Sequence, residues 1–158
     1  MNSILNKLDN NTIIHVCVVV RDIYQVSKNL AEIFGIEEAP IRKKGEKNNQ
    51  DHRTIYQGKY SVDTEWIGAF YQMGTIEMEL IQPIGSGPSV WKDYLDQHGE
   101  GIHHLGFRVK DNKEAIELAK KRGLDVPQTG LFKNGSYAYI SSEEQLGFIL
   151  ETIDDIKR

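Results

Sequence analysis

The sequence predicts an α+β fold made of two related halves, and two observations carry that prediction. The chain writes one pattern twice. His15-Val16-Cys17-Val18-Val19-Val20-Arg21-Asp22 and His104-Leu105-Gly106-Phe107-Arg108-Val109-Lys110-Asp111 each open on a histidine and close on a basic residue and an aspartate at the same spacing. A helix-like segment follows each copy and ends at a glycine, 23–34 before Gly35 and 113–122 before Gly123. Strand-patterned stretches then follow each helix, 66–72 and 75–82 in the first half, 137–141 and 148–153 in the second.

Length and composition bound the answer. A chain of 158 residues is one ordinary domain, or two small halves sharing a core. With 19 basic and 23 acidic residues it is mildly acidic, so a nucleic-acid role has no electrostatic support. Cys17 is the single cysteine, which excludes an intramolecular disulfide and a cysteine-based zinc cluster. It lies in a valine-rich strand and reads as a small buried hydrophobe. No run approaches a membrane span, and 1–11 lacks the order of a signal peptide, so no membrane partner is expected and the expected location is cytoplasmic.

Taken in order, 1–11 is a polar arm or a first helical turn. The first strand covers 12–20 and is rich in β-branched residues. Asp22 is placed to cap the helix 23–34, and Ile33, Phe34 and Ile36 are expected on its buried side. The run 42–53 holds Arg42, Lys43, Lys44, Lys47 and Arg53 among Gly, Asn and Gln, the composition of a solvated loop. A short strand is expected at 55–57. Met73-Gly74 joins the strands 66–72 and 75–82. In the second of these Glu77, Glu79 and Ile81 share one face, and carboxylates in mid-strand need a partner. A Gly/Pro-rich linker, 83–88, precedes a short helix over 89–98. The halves are thus expected at about 12–83 and 101–154. In the second half a strand over 102–109 puts His103, Leu105 and Phe107 on one face and His104 and Gly106 on the other. A helix, a loop through Pro127 to Gly130, and a hairpin of 137–141 and 148–153 complete it.

The repeat collects four residues. Each half contributes a histidine from its first strand, His15 and His104, and a glutamate from its last, Glu79 and Glu151. Two imidazoles and two carboxylates suit Zn, Fe, Ni, Co or Mn, and a four-ligand set leaves positions open for water or substrate. His103, on the other face of its strand, is expected to pack or to hydrogen-bond there.

These residues resemble a family. His15-Val-Cys-Val-Val-Val-Arg-Asp, Glu77-Met-Glu-Leu-Ile-Gln-Pro, Gly99-Glu-Gly-Ile-His-His-Leu-Gly-Phe and Leu146-Gly-Phe-Ile-Leu-Glu resemble the vicinal oxygen chelate superfamily, across roughly 13–153. The resemblance implies two paired βαβββ modules whose curled mixed sheets form a metal-binding cup. It implies His15, Glu79, His104 and Glu151 as ligands of one divalent ion, with Co, Ni, Zn or Mn the candidates. The Gly-Glu-Gly-Ile-His-His and Glu-Leu-Ile-Gln-Pro phrases are most similar to methylmalonyl-CoA epimerases, while 42–62 matches poorly. The implied activity is proton abstraction next to a thioester carbonyl. Glu151 would double as ligand and base, and Asp63, or else Glu65, would serve the opposite face. The implied substrate is an acyl-CoA or a thiol adduct, and the implied assembly a homodimer. Lys43, Lys44, Lys47 and Arg53 lean toward a CoA tail. A glyoxalase I, or a metal-free ligand binder of the bleomycin-resistance kind, are the alternatives.

Overall fold

Fourteen elements follow one another in a computed structural model that describes residues 7–44, 53–61 and 63–155. They are β1 (Ile13–Val19), α1 (Ile23–Phe34), β2 (Arg42–Lys43), β3 (Thr54–Tyr56), β4 (Lys59–Ser61), β5 (Glu65–Met73), β6 (Ile76–Ile84), α2 (Val90–His98), β7 (Gly101–Arg108), α3 (Asn112–Lys121), β8 (Gln128–Phe132), β9 (Gly135–Ile140), α4 (Glu143–Leu146) and β10 (Ile149–Asp155). The strands form one curled sheet in the order β2-β5-β6-β1-β7-β10-β9-β8-β3-β4.

That order displays the repeat. The first half runs β2-β5-β6-β1 and the second β8-β9-β10-β7, and β1 and β7 meet antiparallel in the middle. In each half the first strand lies parallel to the last, β1 beside β6 and β7 beside β10. These are the two paired βαβββ modules of an α+β cup.

Local chemistry sets the helix ends. The Asp22 side chain accepts from the Gln25 N–H at 3.1 Å, and Gly35 turns out of α1 in the left-handed region at φ 64°. The Asp111 carboxylate accepts from the Lys113 N–H at the start of α3. Helix α1 buries Ile23, Ser27 and Ala31, one per turn, against the outer face of the first half, where Val20, Ala69, Tyr71 and Leu80 pack. Helix α3 covers the outer face of the second half around Ala119, Ile140 and Leu150. Helix α2 lies on the inner face instead, packing Val90, Trp91 and Leu95 against Cys17, Val19, Ile81 and Tyr139.

Three sequence expectations are corrected. Ile33, Phe34 and Ile36 are 79%, 58% and 41% exposed, because the stripe through Ile23 and Ala31 faces the sheet and turns them away from it. The stretch through Gly130 is not a loop but part of strand β8. Its glycine is needed because a Cβ there would lie 2.3 Å from the Tyr137 ring. The basic run is only partly loop: Arg42 and Lys43 pair with Gly68 and Ile67 at the sheet edge, while Lys47 and the rest of 45–52 lie outside the described residues, as does the start of the polar arm. The short strand near 55 exists as β3, but with β4 it forms a hairpin that leaves the first half and pairs with β8 of the second. Among the described residues, no helix is long and apolar enough to cross a membrane.

Candidate metal centre

Sheet register sets four side chains in two adjacent rows on the inner face. In one row Glu79 on β6 and His104 on β7 both stand opposite Cys17 of β1. In the other His15 of β1 stands opposite Gly106 of β7, which in turn stands opposite Glu151 of β10. The halves thereby exchange places about the β1–β7 seam, His15 for His104 and Glu79 for Glu151.

The donor atoms of His15, Glu79, His104 and Glu151 all lie within 4.8 Å of one another. Glu151 Oε2 lies 2.6 Å from His15 Nε2 and 2.8 Å from His104 Nε2, and the two Nε2 atoms are 3.0 Å apart. Glu79 Oε2 stands farther off, 3.7 and 4.0 Å from the same two nitrogens. His15, His104 and Glu151 are buried, and Glu79 is partly open to the cavity. Cys17, in the row between Glu79 and His104, is fully buried, and desolvation with the nearby Glu79 and Glu151 charges pushes its thiol well up, so it stays a protonated hydrophobe.

The electrostatics are those of a site short of positive charge. Burial works against a His15 cation, yet Glu151, its hydrogen bond, and Glu79 and Glu77 outweigh it and raise His15 to about 9. Burial, with Glu151 and Glu77, raises Glu79 to about 8 against the pull of His15. Burial would raise Glu151 too, but His104 and His15 on either side hold it well below the usual carboxylate range. Burial lowers His104 despite Glu151. A single carboxylate oxygen thus faces two imidazole nitrogens at contact distance. A divalent cation fits there by donor chemistry, since borderline nitrogens and hard oxygens converge and the set, once deprotonated, carries two negative charges.

Glu79 and Glu151 of these four line a cavity of about 360 Å³. Six aromatic residues stand in its wall: Trp66, Phe70, Trp91, Phe132, Tyr137 and Tyr139. Trp91 Nε1–H donates to the Tyr139 hydroxyl at 3.1 Å, so the apolar wall is braced by its polar edges. Lys44 is the cation of this wall. Its Nζ donates to Thr54 Oγ1 at 3.1 Å and to the Thr64 carbonyl at 2.7 Å. Burial lowers the Lys44 pKa, against the pull of Glu65.

Asp63 is exposed and lines a separate depression with Tyr56, Tyr60, Ser61 and Pro88, outside the cavity wall. Glu65 lies 4.0 Å from Lys43 Nζ and is likewise absent from that wall. Arg53 borders another surface groove.

His103 does not occupy the opposite face. Cys17 pairs with His104 but Val18 pairs with Ile102, so His103 is the extra residue of a β-bulge. The bulge breaks strict alternation and brings His103 Nδ1 to 2.7 Å from His104 Nδ1. Sequence reasoning placed Gly106 on the face of His104 without giving it a role, and named Lys44 only as one of four basic residues leaning toward a CoA tail. A glycine inside an apolar strand was a usable signal for the first; nothing local distinguishes Lys44 from its basic neighbours.

Residues 14–139 match the profile of the Glyoxalase/Bleomycin resistance protein/Dioxygenase superfamily, and the chain belongs to that superfamily. Among individual proteins, it is 30% identical over 88 residues to the uncharacterized protein YqjC of Bacillus subtilis (strain 168), a match covering 52% of this chain and 61% of that one. The chain thus spans about three fifths of the length of that curated relative. Its fold is similar to methylmalonyl-CoA epimerase from Mycobacterium tuberculosis, with a TM-score of 0.58, 17% identity, and coverage of 97% of this chain and 93% of that one. It is similar also to a methylmalonyl-CoA epimerase in complex with methylmalonyl-CoA and ammonium, with a TM-score of 0.61, 16% identity, and coverage of 96% and 97%.

Proposed function

We propose that the protein is a divalent-metal-dependent isomerase that removes and returns a proton next to a thioester carbonyl, as a methylmalonyl-CoA epimerase does. The observation that carries this reading is the four-donor centre, whose Glu79 and Glu151 line a cavity rich in aromatic rings with a lysine on its wall. His15, Glu79, His104 and Glu151 would hold the cation, with Co, Ni, Zn or Mn the candidates. When bound, it would supply Lewis-acid stabilisation of the enolate oxygen.

The chain's own residues supply the rest. Glu151 lines the cavity and is the proposed proton acceptor: its two imidazole neighbours keep it ionised and so unprotonated when substrate arrives, though they also weaken it as a base. The rings of Trp66, Phe70 and Tyr139 exclude water and so strengthen every charge interaction inside. Lys44 offers its ammonium to an anionic group of the substrate, such as the free carboxylate of a malonyl thioester. Asp63 lies away from the cavity wall, so the proposal routes no proton through it. Assembly as a homodimer belongs to the same proposal, and light scattering reads it.

The test is incubation of metal-loaded protein in deuterated water with methylmalonyl-CoA, and separately with the methylglyoxal–glutathione adduct. The expected result is metal-dependent deuterium incorporation at the α-carbon of the CoA ester, lost in Glu151→Gln. Lactoyl-thioester formation without exchange would assign the protein to glyoxalase chemistry instead. Turnover of neither, with a ligand bound tightly by metal-free protein, would make it a binding protein.

A further inference from the structure

We infer that His103 is a positioning residue for the metal centre: it holds His104 in the Nδ1–H tautomer, leaving the Nε2 lone pair aimed at the other three donors. The inference rests on the metal reading of the cup.

The argument is one of proton inventory. His103 Nε2 lies 3.3 Å from the carbonyl oxygen of Val90. A carbonyl can only accept, so that ring nitrogen carries the proton. A neutral imidazole has one N–H, which leaves His103 Nδ1 as an acceptor. His103 Nδ1 and His104 Nδ1 are 2.7 Å apart, a gap that holds a single proton, and His104 must supply it. Glu151 Oε2, 2.8 Å from His104 Nε2, competes for that proton until an ion binds, but once an ion takes the Nε2 position the proton belongs on Nδ1, where His103 accepts it. That is the form in which an imidazole binds a metal.

The relay is rigidly anchored at its far end. Val90 is the first residue of α2, and its N–H is held by Gln128 Oε1 at 3.0 Å. The His103 ring is 3% exposed and wedged edge-on between Tyr94 and Tyr139, at centroid distances of 5.1 and 5.7 Å. The repeat makes the device visible by contrast. Ile14 is the residue skipped by the β1 register just before His15, as His103 is skipped just before His104. Isoleucine has no donor or acceptor, so the two halves bulge alike but only the second carries a relay.

The test compares the wild type with His103→Leu, which has no acceptor, and His103→Asn, whose Oδ1 reaches close to where Nδ1 stood. The zinc ion alone is the probe, with affinity read by chelator competition and folding of each metal-free variant checked by circular dichroism. His103→Leu is expected to bind zinc roughly 10- to 100-fold more weakly, and His103→Asn to return to within about fivefold of wild type. Long-range proton–nitrogen spectra of the zinc-loaded wild type should show His103 protonated on Nε2. Equal zinc affinity in wild type and His103→Leu, no recovery in His103→Asn, or a His103 protonated on Nδ1 overturns the role of His103 alone. Zinc that fails to bind even the wild type overturns the metal reading and this role with it.

Discussion

His15 packs its ring against Gly106: a Cβ at that position would lie 2.2 Å from His15 Cε1 and 2.3 Å from Nε2. The two residues face each other across the β1–β7 seam, and the missing side chain is the space the imidazole occupies. Gly106→Ala should therefore displace His15 from Glu151. We expect a loss of about 1–3 kcal/mol in stability from overpacking, with weaker zinc binding in the molecules that remain folded. Denaturant unfolding and chelator competition on the same preparation measure both, and unchanged zinc affinity would show that His15 is not a ligand.

Glu79→Ala and His104→Ala should each lower bound metal and activity together if the four donors hold one ion as proposed. Both variants should keep the fold, since sheet pairing and the clusters under α1 and α3 do not involve these side chains. Elemental analysis after a chelator wash decides; stoichiometric metal retained in both variants would contradict the ligand set.

The metal-free protein should be most stable at about pH 6 and lose stability on either side. On the alkaline side, His15 and Glu79 are raised to about 9 and about 8, so the folded state holds protons that the unfolded state has released. Their contribution is complete below their ordinary values of 6.5 and 4.5 and fades as pH rises through the raised ones. On the acid side, Glu151 is depressed, so its contribution is complete above the ordinary carboxylate value of 4.5 and is lost progressively as pH falls below it. Burial and the His104 charge also lower His103, to about 3, so acid favours unfolding there too. Thermal melts in chelator across pH 4 to 10, a range set by these shifts, should trace the dome. Saturating zinc should flatten its alkaline limb, because the ion replaces those protons.

Lys44→Met should raise KM for an anionic thioester by roughly 10- to 100-fold with little change in kcat, as for loss of a charge-assisted hydrogen bond made equally in ground and transition states. Steady-state kinetics check it. A fall in kcat with unchanged KM would mean that Lys44 acts on the reacting proton instead.

What could be read from the sequence was whatever obeys local rules. Asp22, Gly35 and Ser89 mark helix ends by their own chemistry, and each does so in the structure. The grouping of His15, Glu79, His104 and Glu151 was legible because the repeat placed each at a matching point of its half, and folding superposes the halves. Non-local features were hidden. The bulge at His103 exists only in the pairing of β7 with β1, so a strict period of two assigned it to the wrong face. Strand β8 carries a glycine whose purpose is the Tyr137 ring seven residues away. Lys44 reaches the cavity because Thr54 and Thr64 capture its ammonium, which no composition reveals.

The hairpin Thr54–Ser61 has a consequence for cutting the chain in two. It belongs by sequence to the first half, yet Thr54, Ile55 and Tyr56 complete the backbone ladder of β8 in the second. A fragment beginning after α2 would bare the β7 edge at the seam and also the β8 edge at the far rim, two unsatisfied ladders of the kind that recruit foreign strands. The matching fragment would carry a hairpin with nothing to pair. Although the chain reads as a duplication, the second half's strands are flanked on both sides by strands of the first, and a gene split between them should yield soluble protein only when both pieces are made together.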